Sequence, residues 1–358
     1  MAAAKYRQKL ETYSSPFLYV LFGLFSTGNY ETDFRNYRLL LLACLAAGIV
    51  ILCRLLNHSP GSTLGAIAIF SAWFEPFASD LRVGNVNGLQ FAALAAYLWV
   101  VTRMRWRYRD VLGGALIGLM VAFKPNLVFV AGMLVVCWVL NRQTRRLLFH
   151  AAGAAVGGVV VLLITAPGFR SLHCWTDRLS ALYSLPDAII TVDLGNFSPA
   201  QILNESFGIN TGIPLAIIFG GLAVAVMWIR QRNVSRERGA MPAPDEFPEM
   251  FAVSIGCLLV VLMARLAWLH YYVLTIPALL FLLRPDGVSS SDGGFVARRF
   301  LPVLALLAFA TGPILCIGIP LTTRGQGVLA VCAALLLFFA LAIFSRRGKT
   351  PATGTTDG

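Results

Sequence analysis

Long apolar runs separated by short polar or basic stretches organise the whole chain. They cover residues 16–25, 39–56, 64–77, 89–101, 111–123, 127–140, 147–166, 213–229, 251–264, 271–283, 300–319 and 327–344. A helix needs about 17–25 residues to cross a bilayer. Several runs fall short of that, the first and third above all. Such runs are expected to be half-spanning, tilted or re-entrant, which is tolerated where protein lines the break. The pattern predicts an all-α fold, a polytopic transmembrane helix bundle of about ten to twelve membrane segments. Residues 1–15 form a polar N-terminal segment, 16–345 the transmembrane domain and 346–358 a disordered tail. The longest connection between runs, 167–211, carries Trp175, Asp177, Asp187, Asp193 and Glu205 and suits short interfacial helices. The stretch 231–249, the Ser/Gly stretch near Ser289 and the tail after Lys349 have linker composition.

Composition excludes a water-soluble reading. Hydrophobic residues make up 58% of the 358 and charged residues only 13%, with a mean hydropathy of +0.73. Soluble domains carry about 25% charged residues. A chain of this length cannot enclose so much apolar surface in water, and lipid resolves the conflict. Cys44, Cys53, Cys137, Cys257, Cys316 and Cys332 fall in or beside apolar runs, so they read as small packing residues and not as a disulfide framework.

The net charge of +12 does not point to nucleic acid, because the basic residues sit in short clusters between apolar runs. Of the 29 Lys and Arg, only Arg35, Arg38, Arg82, Lys124, Arg170, Arg178, Arg265 and Arg324 lie in one set of alternate loops. The positive-inside rule makes the other, basic set cytoplasmic, the C-terminus included. Three features then share the outer face: the stretch 75–88, Lys124 between two runs, and the corner Trp268–Tyr272.

Ionisable residues at membrane depth are costly and mark candidate sites. Lys124 follows Gly113, Gly114 and Gly118, which permit close helix approach, and precedes Pro125, which breaks the backbone. A lysine held there suits a phosphate group; the competing role is snorkelling to lipid headgroups. His270 lies in Trp268-Leu-His-Tyr-Tyr272, one turn after Arg265, where an imidazole can orient a reacting hydroxyl or assist a carboxylate. His58, His150 and His173 lack such company. Asn85 and Asn87 stand at the outer start of a helix, where amides suit sugar hydroxyls or an anion, with capping as the bland alternative. Asp80 and Glu75 are candidate acids or bases, although a surface pair between Asp80 and Arg82 is the simpler expectation. No Walker-type loop, Cys/His metal set, Gly-x-Ser-x-Gly elbow or Asp-x-Asp pair occurs, so neither a metal nor a cofactor is expected. Asn196-Phe-Ser198 and Asn204-Glu-Ser206 are sequons by pattern.

These motifs, in this order, resemble those of glycosyltransferase family 87. Gly84-Asn-Val-Asn87 is similar to that family's Gly-Gln-x-Asn, with Asn85 in place of Gln. The stretch 113–125, ending Ala-Phe-Lys-Pro, looks like its glycine-rich helix closing in Lys-Pro. Trp268–Tyr272 looks like its Trp-x-His-Tyr-Tyr corner, and Ser15-Pro-Phe-Leu resembles the start of its second helix. The resemblance runs from about residue 12 to 285. It implies a GT-C fold in a bacterial cytoplasmic membrane. The enzyme would move a sugar, mannose or a related one, from a polyprenyl-phosphate-sugar donor to a hydroxyl of a glycan or glycolipid acceptor. Lys124 would meet the donor phosphate and His270 the reacting centre. Asn85, Asn87, Arg265, Tyr271, Tyr272 and Asp80 would complete the substrate site. Membrane lipids are the other expected partners, and no nucleic acid. The family's base is an Asp that follows a first helix. The second-helix motif here begins near residue 15, and no residue inherits that role by motif; Glu11 is the only acid upstream of Ser15. The expectation is therefore an N-terminally shortened or inactive chain, in which either 16–25 or 64–77 does not span. A transporter or lipid flippase, or a non-catalytic relic, are the alternative readings.

Overall fold

A computed structural model describes residues 15–183, 190–237, 248–285, 294–310 and 322–346. Among the described residues the structure is helical, and every expected apolar run coincides with a helix or part of one. In chain order these are α1 (Pro16–Gly23), α2 (Tyr30–Leu55), α3 (Pro60–Ala72), α4 (Glu75–Val83), α5 (Asn87–Arg103) and α6 (Arg109–Phe123). A 3₁₀ turn, Pro125–Leu127, leads into α7 (Val128–Leu140), followed by α8 (Thr144–Phe169), α9 (His173–Tyr183), α10 (Pro199–Phe207) and α11 (Gly212–Glu237). After α12 (Pro248–Met263) a 3₁₀ segment, Leu269–Thr275, opens α13 (Ile276–Leu282), and α14 (Gly294–Phe309) and α15 (Thr323–Arg346) close the fold. Residue 11, the linker candidates near 289 and after 349, residues 238–247 and Cys316 lie outside the described residues.

Polar contacts define two opposite poles. At one, Arg146 on α8 bonds Asp110 on α6 (3.2 Å), Glu249 on α12 and the carbonyl of Val101 on α5 (3.1 Å). This pole gathers the beginnings of α6, α8 and α12 and the end of α5, and with them much of the basic charge. A half-buried arginine with two carboxylates and a carbonyl is tolerable because every partner is engaged. At the other pole lie the start of α5, the end of α6 and the corner after α12, joined by side chains of Asn85, Lys124 and His270. Among the described residues four helices are long and apolar enough to cross a membrane, and five shorter apolar helices accompany them, as an all-α polytopic bundle requires.

Two of the short helices are the most deeply buried. Among the described residues the four helices long and apolar enough to cross a membrane alone are α2, α8, α11 and α15. They carry much of the exposed apolar surface, including Leu162, Leu163, Ile217 and Ile218. The shorter α13 is buried along its whole length, as is nearly all of α12. A helix facing lipid must match the ~30 Å apolar layer; one wrapped in protein need not. The short central helices therefore stop below the rim that the long ones set.

The pair α6 and α8 shows the depth of this recess. Both start at the basic pole and run parallel, in contact through glycines. A Cβ on Gly114 would collide with the carbonyl of His150, one on Gly118 with that of Ala154, and one on Gly153 with that of Val111. This small-xxx-small register brings the backbones together. It places the end of α6 level with the region of Leu163, so α8 runs on to Phe169, about 9 Å further at 1.5 Å per residue. His150 belongs to this seam. It is buried, its Nδ1 lies 2.9 Å from the Arg146 carbonyl, and its ring packs 4.2 Å from that of Trp138 and 6.1 Å from that of Tyr97. The sequence left it without company because Tyr97 and Trp138 reach it from other helices.

Segment 16–25 is not a span. α1 has 8 residues, and Phe17 meets Phe123 at the end of α6 while Phe22 meets Tyr37 near the start of α2. Both contacts lie at the recessed pole, so α1 crosses the mouth of the bundle there. Ser15 caps it, its hydroxyl accepting from the N–H of Leu18, and Pro16 fits the first turn, where no N–H partner is lost.

Gly114→Ala and Gly153→Ala are expected to lower stability by about 1–3 kcal/mol, because the added methyl must push two backbones apart. Gly158→Ala, with nothing within 4 Å of the new carbon, is expected to be neutral or slightly stabilising. Thermal unfolding of the purified variants in detergent checks the contrast; equal shifts would rule out the glycine seam.

Candidate active site

Three corners supply the recessed pole, each set by local sequence. α4 ends at Gly84, whose φ of 64° and 3.0 Å clearance from the Phe34 ring for an added Cβ demand glycine. The chain turns sharply there, and the N–H of Asn85 bonds the carbonyl of Asp80 (3.1 Å). Asp80 is fully buried at the start of α5. Its Oδ2 accepts from the N–H of Gly88 (2.9 Å) and its Oδ1 from Nδ2 of Asn87 (2.8 Å). A carboxylate there satisfies a free helix N–H and complements the helix dipole. The expected pair of Asp80 with Arg82 does not form: Arg82 pairs with Glu75. Residues two apart on a helix do not face each other, whereas residues seven apart share a face. Capping of α5 thus falls to Asp80 and leaves Asn85 and Asn87 free for other work.

The second corner is the α6–α7 hairpin. Pro125 bars the residue before it from helical geometry, and Lys124 is extended at φ −150°, ψ 113°. That break aims the lysine out of the line of α6 and towards α5. The third corner follows α12. The outer connection is pinned to it by Asn196, which is buried and donates to the carbonyls of Ile190 (2.8 Å) and Arg265 (3.0 Å) while accepting from the N–H of Ala267 (2.9 Å). The N–H of Phe197 adds a bond to the Ala267 carbonyl (2.8 Å).

The corners converge on the ammonium of Lys124. Its Nζ lies 3.1 Å from Oδ1 of Asn85, 2.8 Å from Oδ1 of Asn87 and 3.8 Å from the centre of the Tyr271 ring. Asn85 also reaches Nε2 of His270 at 2.8 Å, and His270 meets Tyr271 edge to face at 5.1 Å. Asn87 links the ammonium on its oxygen to the Asp80 carboxylate on its nitrogen. The cation and its counter-charge are thus one amide apart, with the carboxylate buried and the ammonium nearer the surface of the cluster. Such a network holds its charges because the ammonium and the carboxylate both have hydrogen-bond partners.

Of the residues singled out from the sequence, Asp80, Asn85, Asn87, Lys124, His270 and Tyr271 come together. Tyr272 does not join them: it is buried on the other side of the turn, and its hydroxyl bonds the Phe197 carbonyl (2.9 Å). Arg265 is exposed and gives its backbone carbonyl to Asn196. Asn196 itself, a sequon by pattern, has its amide committed inside the protein and is no acceptor for a glycan. Two residues escaped the sequence reading. Tyr37 on α2 donates to the Asn85 carbonyl (2.7 Å), and Gln90 on α5 bonds Asn126 beside Lys124 (3.2 Å). Nothing distinguished Tyr37 from an interfacial aromatic. Gln90 alone was legible as a polar residue one turn along from Asn87.

A polar cluster at one end of a bundle whose long apolar helices present hydrophobic side chains outward marks a polytopic membrane protein. The family model for glycosyltransferase family 87 matches residues 12–243, and the chain belongs to that family. The match takes in the corners of Asn85 and Lys124; that of His270 lies beyond it. No curated protein and no solved structure matches the chain.

A double-mutant cycle of Asp80→Asn and Lys124→Met is expected to show a coupling of about 0.5–3 kcal/mol, although the two side chains touch only through Asn87. Chemical denaturation of the four proteins measures it, and strict additivity would contradict the bridge. Asp193 on the outer connection accepts from Arg324 Nε (2.8 Å) and Nη2 (3.2 Å). That hydrogen-bonded guanidinium holds its carboxyl below the ordinary 3.8. A depressed carboxyl stabilises above its unfolded value and loses that effect as pH falls through the folded one. Protection of the amides across 192–207, taken against the intrinsic exchange rate at each pH, is therefore expected to be unchanged from neutral pH to about pH 4 and to fall below it. Loss of protection already near pH 6 would contradict the pairing.

Proposed function

We propose that the chain transfers a sugar, mannose or a related one, from a polyprenyl-phosphate-sugar donor to a hydroxyl of a glycan or glycolipid at the recessed pole. This pole faces away from the cytoplasm, in a GT-C-type arrangement. The observation that carries the reading is the Lys124 ammonium on a floor sunk below the rim of the lipid-facing helices, at the pole opposite the basic one. An isoprenoid tail remains in lipid, so its phosphate must meet the protein at membrane depth, where a positive point charge is the simplest partner. Basic loops at the other pole orient that pole to the cytoplasm, and with it the end of α15 at Arg346.

Two of the three ammonium protons point to amide oxygens and the third side faces Tyr271. A phosphate oxygen competes with that ring. The ring contact is worth about 0.5–2 kcal/mol, and a charged hydrogen bond about 1.5–3 kcal/mol, so exchange of ring for phosphate is favourable. The acceptor hydroxyl oxygen then attacks the anomeric carbon while the bond to the phosphate breaks, and the hydroxyl proton passes to the leaving phosphate. Lys124 stabilises the charge gathered on the leaving phosphate, and His270 stands beside it. Asp80 is not the base in this scheme, because both its oxygens are committed beneath the floor.

Transfer from a polyprenyl-phosphate sugar in proteoliposomes tests the reading. Lys124→Ala at unchanged expression is expected to lose about 100-fold or more, the size of one lost electrostatic contact to the transition state. Movement of lipid or solute across the vesicle without glycosyl transfer would overturn it in favour of a transporter.

A further inference from the structure

We infer that Asn85 is a positioning residue that locks His270 in its neutral Nδ1–H form, so that the imidazole serves the site as a hydrogen-bond donor and not as the base. This deepens the glycosyltransferase reading and concerns the same site. The reasoning starts from the Asn85 amide, whose two ends are chemically opposite. Its oxygen faces three donors: the N–H of Val86 at 2.7 Å, Nζ of Lys124 at 3.1 Å and Nδ2 of Asn87 at 3.3 Å. Turning the amide over would set its NH₂ against all three. The orientation is therefore fixed by its surroundings.

With the oxygen so placed, Nδ2 is the atom that faces Nε2 of His270 at 2.8 Å. An amide nitrogen donates and never accepts, so Nε2 must offer its lone pair. A neutral imidazole has one lone pair and one N–H, and the proton accordingly sits on Nδ1. A second proton on Nε2 would set two donors against each other. It would also place a second positive charge beside the Lys124 ammonium. The charged and titratable groups around the ring are Lys124 from the α6–α7 corner, Tyr271 from its own turn and Asp80 from α4, the last reached only through Asn87. Among the described residues no group bonds Nδ1 of His270, and it is not sealed off. The ring thus keeps one uncommitted donor for an oxygen of the substrate, and its lone pair is unavailable to take the acceptor's proton.

Asn85 thereby ties two functions together: the oxygen that holds the lysine dictates which nitrogen of the histidine is protonated. Nitrogen-15 NMR of the full chain, labelled at its four histidines and reconstituted in lipid bilayers, reads this without any substrate. The His270 signals are assigned by their loss in His270→Gln. The expected spectrum at neutral pH has a protonated Nδ1 and a bare Nε2. Asn85→Asp, which turns the donor into an acceptor, is expected to move the proton to Nε2 or add one there, and Asn85→Gln to keep the original form. A wild-type His270 that is protonated on Nε2, or a spectrum unchanged by Asn85→Asp, would overturn the inference. Because no sugar donor is present, a failed transfer assay leaves this test standing, and a failed tautomer test leaves transfer to be judged separately.

Discussion

The recessed pole depends on one interaction, the ammonium of Lys124 held between the side-chain oxygens of Asn85 and Asn87. These groups come from two corners of the bundle, and Asn85 carries the connection to His270 in a third. An ammonium at membrane depth is tolerated only when its donors are engaged and a counter-charge is near. The amides supply the first condition and Asp80, behind Asn87, the second. Without the lysine, two asparagine oxygens would be left facing each other across a protein-lined floor. Without the asparagines, a charge would stand unsolvated against a tyrosine ring.

Helix length makes that floor possible. Long α2, α8, α11 and α15 present apolar side chains outward, and the shorter α12 and α13 between them are wrapped by protein. A polar corner inside such a ring is below the rim yet within reach of an amphiphile whose head is polar and whose tail is not. The opposite pole needs no such recess. There Arg146 draws Asp110, Glu249 and a carbonyl into a closed set that fixes the register of four helices. The two ends of the bundle thus use polar chemistry differently, one saturated for cohesion and the other with donors left to offer.

Most of the fold was legible because apolar runs in a membrane protein are themselves the helices. The short run 16–25 read equally well as a half-span, and only its end-to-end contacts with Phe123 and Tyr37 show that it lies across the mouth. The gathering of Lys124, Asn85, Asn87 and His270 was legible from residue types that are costly at membrane depth. The roles of Asp80 and Asn196 were not. Asp80 looked like half of a surface pair with Arg82, because the glycine turn that brings Asn87 and Gly88 back onto it cannot be read without coordinates. Asn196 stood out only as part of a sequon by pattern, and a sequon carries no information about whether its amide is already bonded. Tyr272 looked like a partner of Tyr271; the 3₁₀ turn sends adjacent side chains to opposite sides.

The account stands or falls on which side of the membrane the recessed pole faces. In a cysteine-free background, Asn204→Cys places a thiol on exposed α10 at that pole, and Arg145→Cys places one at the start of α8 at the basic pole. An impermeant maleimide applied to intact cells, with the outer envelope opened, is expected to label position 204 at once and position 145 only after the membrane is broken. Labelling in the reverse order would put the lysine and its amides in the cytoplasm and contradict the account.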